Sequence, residues 1–454
     1  MTLWSWQEVA QLLGTSVAEA GPEIVRVCTD SRQCQPGDLF VALKGDRFDG
    51  HDFLPQVRLQ GAVGAVVERG AMVPSGWESR CLPVSSPLKA LGELAAERRR
   101  VVAPHVIAVT GSNGKTTVKE MIAAILRAEA LRLGQEEGSV WATPGNFNNA
   151  IGLPLTLLSL GPQHRWAVLE MGMNHPGEIA LLTRLAQPDV ALITNVQRAH
   201  LGYLGSLEGI ARAKGEIFAG LGEHGTAIFP IDAPHQPCLL EAAGQHERIT
   251  FGFEEGATVR GQVEAGGLLR VESHQESWVL RLQVPGVHNQ KNALAAAAAT
   301  LACGISSASI RRGLEGFSGM PGRLQTCFSA LGAVILDDTY NANPDSVMAA
   351  LDVLAKRTGR RILVLGDLGE LGESGPALHA EVGEMARRMG IDDCCTVGTL
   401  AEATGRAFGP HARHYANTAA LIAWLRPQLN ADSVVLVKGS RFMHMEDIVS
   451  GLVQ

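Results

Sequence analysis

The residues of this chain whose types and spacing could do chemistry are concentrated between positions 106 and 117. A short apolar run, Val-Ile-Ala-Val, precedes Thr-Gly-Ser-Asn-Gly-Lys-Thr-Thr, which predicts a strand, a glycine-containing loop and the start of a helix. Unpaired N–H groups and the positive end of the helix dipole favour an anion at such a helix start. Gly111 and Gly114 let the backbone approach phosphate oxygens, Lys115 can reach β- and γ-phosphates, and the Thr116 hydroxyl can ligate Mg²⁺. We therefore predict a site for ATP or GTP.

The predicted loop is shorter than the standard phosphate loop. The standard loop has a glycine at the position of Val109, and here Gly111 supplies the turn instead. The alternative is a glycine turn with an incidental Lys-Thr pair. The apolar strand before the loop and the periodic helix after it favour nucleotide binding.

Other polar side chains follow apolar runs that predict strands. Glu170 ends the run 166–169, and Asn195 and His200 follow the run 190–194. In a parallel sheet ligands gather at the carboxyl ends of the strands, so these side chains could share one site. An acidic residue there could hold the Mg²⁺ that bridges nucleotide phosphates. The alternative for Glu170 is an ordinary turn residue at a strand end.

Two helices further along the chain carry polar residues with ordinary explanations. The pattern predicts a helix over 207–221, in which Lys214 is typical of a solvated helix lysine. It predicts a second, alanine-rich and internal helix over 293–303, for which Asn289 is an adequate start residue. A glycine-rich stretch at 366–372 lacks the Lys-Thr of a phosphate loop, and we interpret it first as a loop and second as a substrate contact.

Length and element order predict three α/β domains. The 454 residues exceed what one ordinary core holds, and strand and helix patterns alternate along most of the chain. We expect a small N-terminal α/β domain over 1–102, a central phosphate-loop domain with a doubly wound sheet over 103–325, and a C-terminal Rossmann-like domain over 326–454. Residues 321–323, Pro-Gly-Arg, are the best candidate hinge before the last domain.

The composition of the chain indicates which binding partners and which cellular compartment to expect. Net charge is −7, with 39 basic and 46 acidic residues, so nothing suggests nucleic-acid binding, and small-molecule substrates are favoured. The eight cysteines include no Cys-x-x-Cys and no metal-type spacing, which predicts reduced, mostly core thiols. The first residues lack the features of a signal peptide, and the most apolar tract, 293–305, is too short to span a bilayer. We expect a soluble cytoplasmic monomer.

From the residues alone the reaction stays open among a ligase, a kinase, a motor and a switch. Phosphoryl transfer depends mostly on positioning and charge neutralisation, so no side-chain nucleophile is required. There is no Gly-x-Ser-x-Gly motif and no cysteine with a convincing histidine partner.

The order of motifs over essentially the whole chain resembles that of the Mur ligases, enzymes that build the peptide of bacterial cell-wall precursors. The motifs that carry the resemblance are residues 110–117, Glu170, 195–200, 213–216, 286–289 with Asn292, 322–323, Asp338 and 438–441. Within the family, residues 337–346, 145–152 and 48–51 are similar to the member that adds D-alanyl-D-alanine. The Asp-Asn-Pro-Arg stretch of the sibling that adds the third residue is absent.

The resemblance implies ATP and Mg²⁺ as cofactors and a set of site residues. Phosphate-binding residues would be Gly111, Ser112, Asn113, Gly114, Lys115, Thr116 and Thr117, while Asn292, Arg323 and Asp338 would contact adenine, phosphate and ribose. Metal ligands would be Thr116, Glu170, His200 and Lys214, the last as a carbamate, whose anionic oxygens explain a lysine beside a metal. Gly202 stands where an acidic residue is expected after His200.

The resemblance also implies the substrates and the reaction. Thr29, Ser31 and Arg32 would hold the uridine diphosphate end of a UDP-N-acetylmuramoyl-tripeptide, and Asn146, Asn148 and Asn149 its muramyl-peptide side, with Asn341 and Asn343 as further substrate contacts. The tripeptide carboxylate would become an acyl phosphate and then an amide with D-alanyl-D-alanine. The third residue of the tripeptide could be lysine or diaminopimelate.

Three other functions are alternatives to this ligase. A nucleotide-driven switch or transport ATPase would respond to a macromolecular partner. A binding module that has lost chemistry is disfavoured by Lys115, Thr116, Glu170 and His200. A ligase that adds glutamate to folate does not suit the first domain or residues 337–346.

Overall fold

The computed structural model describes residues 2–16, 21–199, 201–273 and 276–453. Along them, three largely parallel sheets follow one another, each covered by helices. This confirms the α/β class and the order of units predicted from the sequence. In the described residues, no helix combines the length and the apolar character needed to cross a bilayer.

The N-terminal unit is a parallel sheet with the strands in chain order. Its strands are Arg26–Cys28, Asp38–Val41, Gly64–Glu68 and Cys81–Val84, its helices are Trp6–Leu12, Leu54–Leu59 and Pro87–Val102, and Trp4–Ser5 pairs with Glu23–Ile24 beside it. The strand Asp38–Val41 is buried along its length, as expected for a parallel sheet covered on both faces. Ser86 caps the last helix, because its side chain accepts a hydrogen bond from the Lys89 N–H. Pro87 occupies the first helical position.

The central unit is a broad sheet with an antiparallel extension at one edge. From edge to edge its strands are Ser277–Leu280, Leu269–Glu272, Val259–Val263, Glu247–Gly252, Thr226–Pro230, Val190–Ile193, His105–Thr110, Trp166–Glu170 and Val140–Ala142. Its helices are Lys115–Arg132, Gly152–Leu158, Glu178–Ala186, Leu201–Leu204, Leu207–Gly215, Gln236–Ala243, Val287–Ala302 and Ser307–Gly316. The first two strands in this order pair antiparallel, so the doubly wound sheet is parallel only from Val259–Val263 onward.

The C-terminal unit has the same layered form. From edge to edge its strands are Gln325–Phe328, Val334–Asp338, Ser433–Lys438, Arg360–Leu365, Asp393–Val397 and Ala412–Tyr415, and its helices are Pro344–Ala355, Gly375–Arg388, Ala401–Phe408, Thr418–Leu425 and Glu446–Val453. Gln325–Phe328 pairs antiparallel, and the remaining pairs are parallel.

The strand order of the central sheet decides where its polar residues meet. His105–Thr110 lies between Trp166–Glu170 on one side and Val190–Ile193 on the other, all parallel. The segments that follow these neighbouring strands therefore diverge, and a crevice opens between them at the carboxyl ends of the strands. The phosphate loop, Glu170 and Asn195 all lie at that crevice.

Candidate active site

The phosphate loop connects the strand His105–Thr110 to the helix Lys115–Arg132. Gly111 and Gly114 have φ values of 152° and 78°, a region in which only glycine is free of strain. A Cβ at Gly114 would lie 2.6 Å from Asn292 Oδ1, so this position excludes side chains for a second reason. The turn that Gly111 was predicted to make is present, and the loop backbone faces the crevice.

The loop is held in shape from the neighbouring strand. The Asn113 N–H donates to Asn195 Oδ1 at 2.9 Å, and Thr194 Oγ1 donates to Asn113 O at 2.6 Å. Ser112 exchanges hydrogen bonds with Gln197, through the Gln197 N–H and carbonyl oxygen. Asn195 therefore supports the phosphate loop. These hydrogen bonds fix the backbone geometry of the loop without a ligand.

Lys115 lies at the first position of the helix with its ammonium folded over the loop. Its Nζ donates to Gly111 O at 2.8 Å. Burial lowers the pKa of Lys115, while the carboxylates of Glu170 and Glu370 oppose that shift. A partly buried ammonium group at the first turn of a helix is suited to neutralising an anionic ligand.

A carboxylate and a hydroxyl stand together beside this lysine. Thr116 Oγ1 donates to Glu170 Oε2 at 2.8 Å, and Asn148 Nδ2 donates to Glu170 Oε1 at 2.8 Å. Glu170 is only 2% exposed. These are the hard oxygen donors that Mg²⁺ prefers, so the donor set fits a magnesium ion.

Lys214 is buried at the end of the helix Leu207–Gly215. It is 1% exposed, so the expectation of a solvated lysine, drawn from the helix pattern alone, is wrong. Burial, and then the charge of Lys115, lower its pKa well below the usual value. Among the described residues it has no hydrogen-bond or ion-pair partner, whereas His200, its predicted neighbour at a second metal, lies outside them.

One wall of the crevice is formed by the start of the helix Val287–Ala302. The helix begins six residues earlier than predicted, after Gly286, so Asn289 lies within its first turn and is not the start residue. Asn289 Nδ2 donates to Pro285 O, and Asn292 Nδ2 donates to Asn289 Oδ1. This chain of amides fixes Asn292 beside the phosphate loop.

The predicted hinge and the following strand complete this wall. Arg323 donates to Thr116 Oγ1 at 2.9 Å and lies over the Tyr340 ring, 4.3 Å from its centre. Asp338 forms an ion pair with Lys438 at 2.5 Å. Arg323 therefore lies at the same end of the crevice as Thr116 and Glu170.

The C-terminal unit closes the crevice into a cleft of about 800 Å³. Asn343 Nδ2 donates to Asn113 Oδ1 of the phosphate loop at 2.7 Å. Asn341 also lines the cleft, as does the glycine-rich loop through Gly369, Glu370 and Leu371. In that loop, the Glu370 carbonyl oxygen accepts a hydrogen bond from the Gly202 N–H at 3.3 Å. The loop that we interpreted as structural first therefore belongs to the site.

The remaining predicted substrate residues divide between this cleft and the N-terminal unit. Asn146 and Asn148 line the cleft, whereas Asn149 accepts from the N–H groups of Ile151 and Gly152 and shapes a turn. The structure does not bring Thr29, Ser31 and Arg32 into the cleft; they follow the strand Arg26–Cys28.

A smaller cavity of about 280 Å³ lies where the N-terminal and central units meet. It is lined by Lys44, His51, Glu68 and Ser86 of the first unit and by Ile151 of the second. His51 belongs to the segment 48–51 quoted for the resemblance. Its ring bonds Asp49, and its Nε2 accepts from the Glu68 N–H.

Sequence reasoning missed the contacts that join the two walls of the cleft. Arg198 bonds Asp345 and Glu381 of the C-terminal unit, at 2.7 to 3.1 Å, and Tyr340 stacks on Arg323. Arg198 lies within the segment 195–200 quoted for the resemblance, and that membership is the signal that could have marked it. Its partners lie about one domain away in sequence and no local pattern identifies them.

The chain is similar to known proteins along nearly its whole length. Three family models match: "Mur ligase family, catalytic domain" over residues 23–99, "Mur ligase middle domain" over 109–300, and "Mur ligase, glutamate ligase domain" over 322–441. The UDP-N-acetylmuramoyl-tripeptide–D-alanyl-D-alanine ligase of Escherichia coli (strain K12) is 41% identical over 456 residues, covering 98% of this chain and 97% of the relative.

Solved structures are similar over the same length. A crystal structure of MurF from Acinetobacter baumannii superimposes with a TM-score of 0.90 at 38% identity, covering 100% of both chains. MurF ligase from Thermotoga maritima in complex with ADP has a TM-score of 0.83 at 29% identity, covering 94% of this chain and 96% of that one. With the loop, the buried carboxylate and the two-walled cleft already described, these matches show that the chain belongs to the Mur ligase family.

Proposed function

We propose that this protein joins D-alanyl-D-alanine to UDP-N-acetylmuramoyl-tripeptide at the expense of ATP, in the synthesis of peptidoglycan precursors. The observation that carries the proposal is the grouping of Lys115, Thr116 and Glu170 on one wall of a cleft whose other wall is a separate domain. The full-length Escherichia coli relative bears the name of this activity. The Thermotoga maritima relative is in complex with ADP, which supports the use of an adenine nucleotide.

The reaction has two steps. The terminal carboxylate of the tripeptide attacks the γ-phosphorus of ATP, the bond to the bridging oxygen breaks, and ADP leaves an acyl phosphate behind. The amine of D-alanyl-D-alanine then attacks the acyl carbon, inorganic phosphate leaves, and the amine loses a proton. Activation is needed because a bare carboxylate is a poor acyl donor.

The chain's own residues would position and neutralise these groups. The N–H groups at the start of the helix Lys115–Arg132 would cradle the phosphates, and Lys115 would neutralise the charge that develops on them. Arg323 would contact a phosphate, because its guanidinium lies against Thr116 in the first turn of the same helix. We assign Asn292 to the adenine and Asp338, which pairs with Lys438, to the ribose.

The metal ligands that we propose are Thr116 and Glu170 for one Mg²⁺, and His200 and Lys214 for a second. Bound Mg²⁺ would supply neutralisation of the phosphate oxygens. Lys214 suits conversion to a carbamate, because burial favours its neutral amine, which is the form that adds to CO₂ with loss of a proton.

The remaining assignments concern the substrates and the whole chain. Asn146 and Asn148 face the cleft on the muramyl-peptide side, Asn341 and Asn343 border it from the third domain, and Thr29, Ser31 and Arg32 belong to the domain assigned to the uridine diphosphate end. We retain domain limits of 1–102, 103–325 and 326–454, and expect a cytoplasmic monomer. The eight cysteines are all free, as a reducing compartment requires.

Product analysis tests the proposal directly. The protein is mixed with Mg-ATP, D-alanyl-D-alanine and the UDP-linked tripeptide that carries either lysine or diaminopimelate, and the products are weighed by mass spectrometry. We expect a UDP-linked pentapeptide, with ADP release that requires both substrates together. Comparable ADP release with neither substrate would contradict the ligase and favour a switch or transport ATPase.

A further inference from the structure

Two cysteines and an aspartate meet inside the N-terminal domain, away from the cleft. Cys28 ends the strand Arg26–Cys28, Cys34 follows a short 3₁₀ helix, and Asp38 begins the next strand. Their two Sγ atoms and a carboxylate oxygen all lie within 4.8 Å of one another. They are 6%, 7% and 1% exposed. The sequence spacing showed no metal motif, so this cluster is a product of the fold.

The segment that carries these groups is fixed by its own hydrogen bonds. Arg26 Nη2 donates to Gln33 O at 2.8 Å, and the Gln35 N–H donates to Asp38 Oδ2 at 2.8 Å. The Asp38 N–H returns a bond to Gln35 O at 3.1 Å. These bonds hold the backbone that carries the cluster and orient the Asp38 carboxylate.

The spacing suits a tetrahedral thiophilic cation. Zn–S bonds of about 2.3 Å and Zn–O bonds of about 2.1 Å place neighbouring ligand atoms about 3.6 to 3.8 Å apart, within the separation seen here. A fourth ligand atom is at hand, because Cys28 Sγ lies 3.2 Å from the Asp30 carbonyl oxygen. Two sulfurs select zinc-like ions over Mg²⁺, which prefers oxygen.

The charges around the cluster balance when such an ion is bound. Asp38 is already paired with Arg26, so the charge of its carboxylate is offset before an ion binds. With a divalent cation, two thiolates and one carboxylate offset the metal and the guanidinium. Buried charges are tolerated only when compensated in this way.

We propose that Cys28, Cys34 and Asp38, with the Asp30 carbonyl oxygen, form a binding site for one thiophilic divalent cation such as Zn²⁺. On binding, each thiol gives up its proton to solvent and two S–metal bonds form, without any change of oxidation state. The bound ion ties the end of one strand to the start of the next across residues 29–37. It therefore fixes the loop that contains Thr29, Ser31 and Arg32.

Cobalt spectroscopy on the full chain tests the site. Co²⁺ is added to metal-free, reduced protein in excess Mg²⁺, which occupies oxygen-ligand sites. We expect thiolate-to-cobalt charge-transfer absorption with the intensity of two sulfurs, saturating at one ion per chain and lost on addition of Zn²⁺. No thiolate absorption in the wild-type protein would overturn the proposal, whatever the behaviour of any variant.

Cysteine variants locate the signal. Cys28→Ser and Cys34→Ser are each expected to weaken Zn²⁺ binding at least about 100-fold, as measured by competition with a chromophoric chelator. Cys81→Ser is the matched control, because Cys81 is a buried thiol of the same domain core, outside the cluster. Its affinity should be unchanged. Binding that survives in the Cys28→Ser, Cys34→Ser double variant, or that is lost equally in Cys81→Ser, would refute the assignment.

Thermal unfolding supplies a readout in the wild-type chain. An ion that binds only the folded state raises the Tm as its concentration increases. We expect Zn²⁺ to raise the wild-type and Cys81→Ser melting temperatures and to leave those of Cys28→Ser and Cys34→Ser in place. Equal shifts in all four proteins would place the ion elsewhere and contradict the site.

Discussion

At the scale of single residues, the buried Lys214 and the partly buried Lys115 lie close enough to influence each other. The charge of Lys115 helps to lower the pKa of Lys214, and Lys115 itself lies between the carboxylates of Glu170 and Glu370 and the cation of Arg323. Arriving phosphates would add the negative charge that favours the protonated form of Lys115. Two lysines of one site are thus predicted to do opposite things: one stays a cation, and the other is modified as a neutral amine.

Replacing the cationic lysine tests the first role. We expect Lys115→Ala to lower kcat by at least about 10² to 10³-fold, because a preorganised charge at the transferred phosphoryl group is lost, with the Tm nearly unchanged. Lys89→Ala is the control, since Lys89 is exposed in the first domain. A Lys115→Ala enzyme with wild-type kcat would contradict the phosphate-loop assignment.

Chemical rescue tests the second role. We expect Lys214→Ala to be inactive and to regain part of its rate when a small carboxylic acid is added, because the acid supplies the missing anionic oxygen in a cavity of matching size. The same acid should leave Lys115→Ala inactive, since an anion cannot replace a cation. Steady-state rates against acid concentration measure both, and rescue of neither variant would count against a carbamate at Lys214.

At the scale of elements, the helix that starts at the phosphate loop is anchored at its far end. Glu129, near the end of Lys115–Arg132, accepts from Ser309 Oγ at 2.5 Å and pairs with Arg132. Ser309 belongs to the neighbouring helix Ser307–Gly316. The anchor holds the two helices in register and so steadies the loop at the other end.

The contacts of Glu129 predict that the free energy of unfolding depends on pH. Arg132, and then the serine hydroxyls, lower the pKa of Glu129 from 4.5 to about 2, which sets an upper limit of about 3 kcal/mol. Because Arg132 is half exposed, we expect about 1 to 2 kcal/mol. The folded-state pKa is depressed, so this stability is present above pH 4.5 and lost as the pH falls toward 2.

Urea unfolding of Glu129→Gln checks this expectation. The variant should be less stable than the wild type at pH 7, and the difference should shrink between pH 4.5 and the acid limit of folding. Glu208→Gln, which removes an exposed pair with Arg212 on one helix, should change stability by no more than about 0.5 kcal/mol. A Glu129→Gln difference that is constant with pH would argue against the linkage.

At the scale of the whole molecule, the closed cleft is held by side chains from different domains. Arg198 contacts Asp345 and Glu381, and Asn343 contacts Asn113 in the phosphate loop. Closure would exclude water from the acyl phosphate. The domain contact and the nucleotide loop are therefore coupled through a few polar groups.

Opening this contact should affect turnover more than nucleotide binding. We expect Arg198→Ala to lower kcat about tenfold with a smaller change in the Kd for ATP, because the closed form becomes less populated, and to increase the radius of gyration in X-ray scattering. Arg212→Ala removes a matched arginine that pairs within the central domain and should do neither. An Arg198→Ala enzyme with unchanged kcat and scattering would rule out a role in closure.

A double-mutant cycle separates the pair from the residue. Arg198→Ala and Asp345→Ala are expected to be non-additive by about 1 to 3 kcal/mol in the activation free energy, since each removes the same interaction. Strict additivity would mean that the two side chains act independently.

The sequence alone determined the features that depend on neighbouring residues. Gly111, Gly114, Lys115 and Thr116 lie within six positions of one another, so loop, helix start and ligand chemistry were visible in one segment. The α/β class followed from strands and helices that alternate along the chain, and the family from motifs in order. Backbone conformation and amphipathic spacing are local properties, which is why they can be recognised without a structure.

Only the tertiary structure decided what is buried and what meets across the fold. Lys214 has the pattern of a solvated lysine but is covered by packing, the first turn of Val287–Ala302 forms ahead of its alanines, and Cys28 and Cys34 join Asp38 although their spacing matches no motif. Asn113 and Asn343 are 230 residues apart. Burial and pairing depend on which segments pack together, and residue spacing along the chain does not encode that for groups in separate elements.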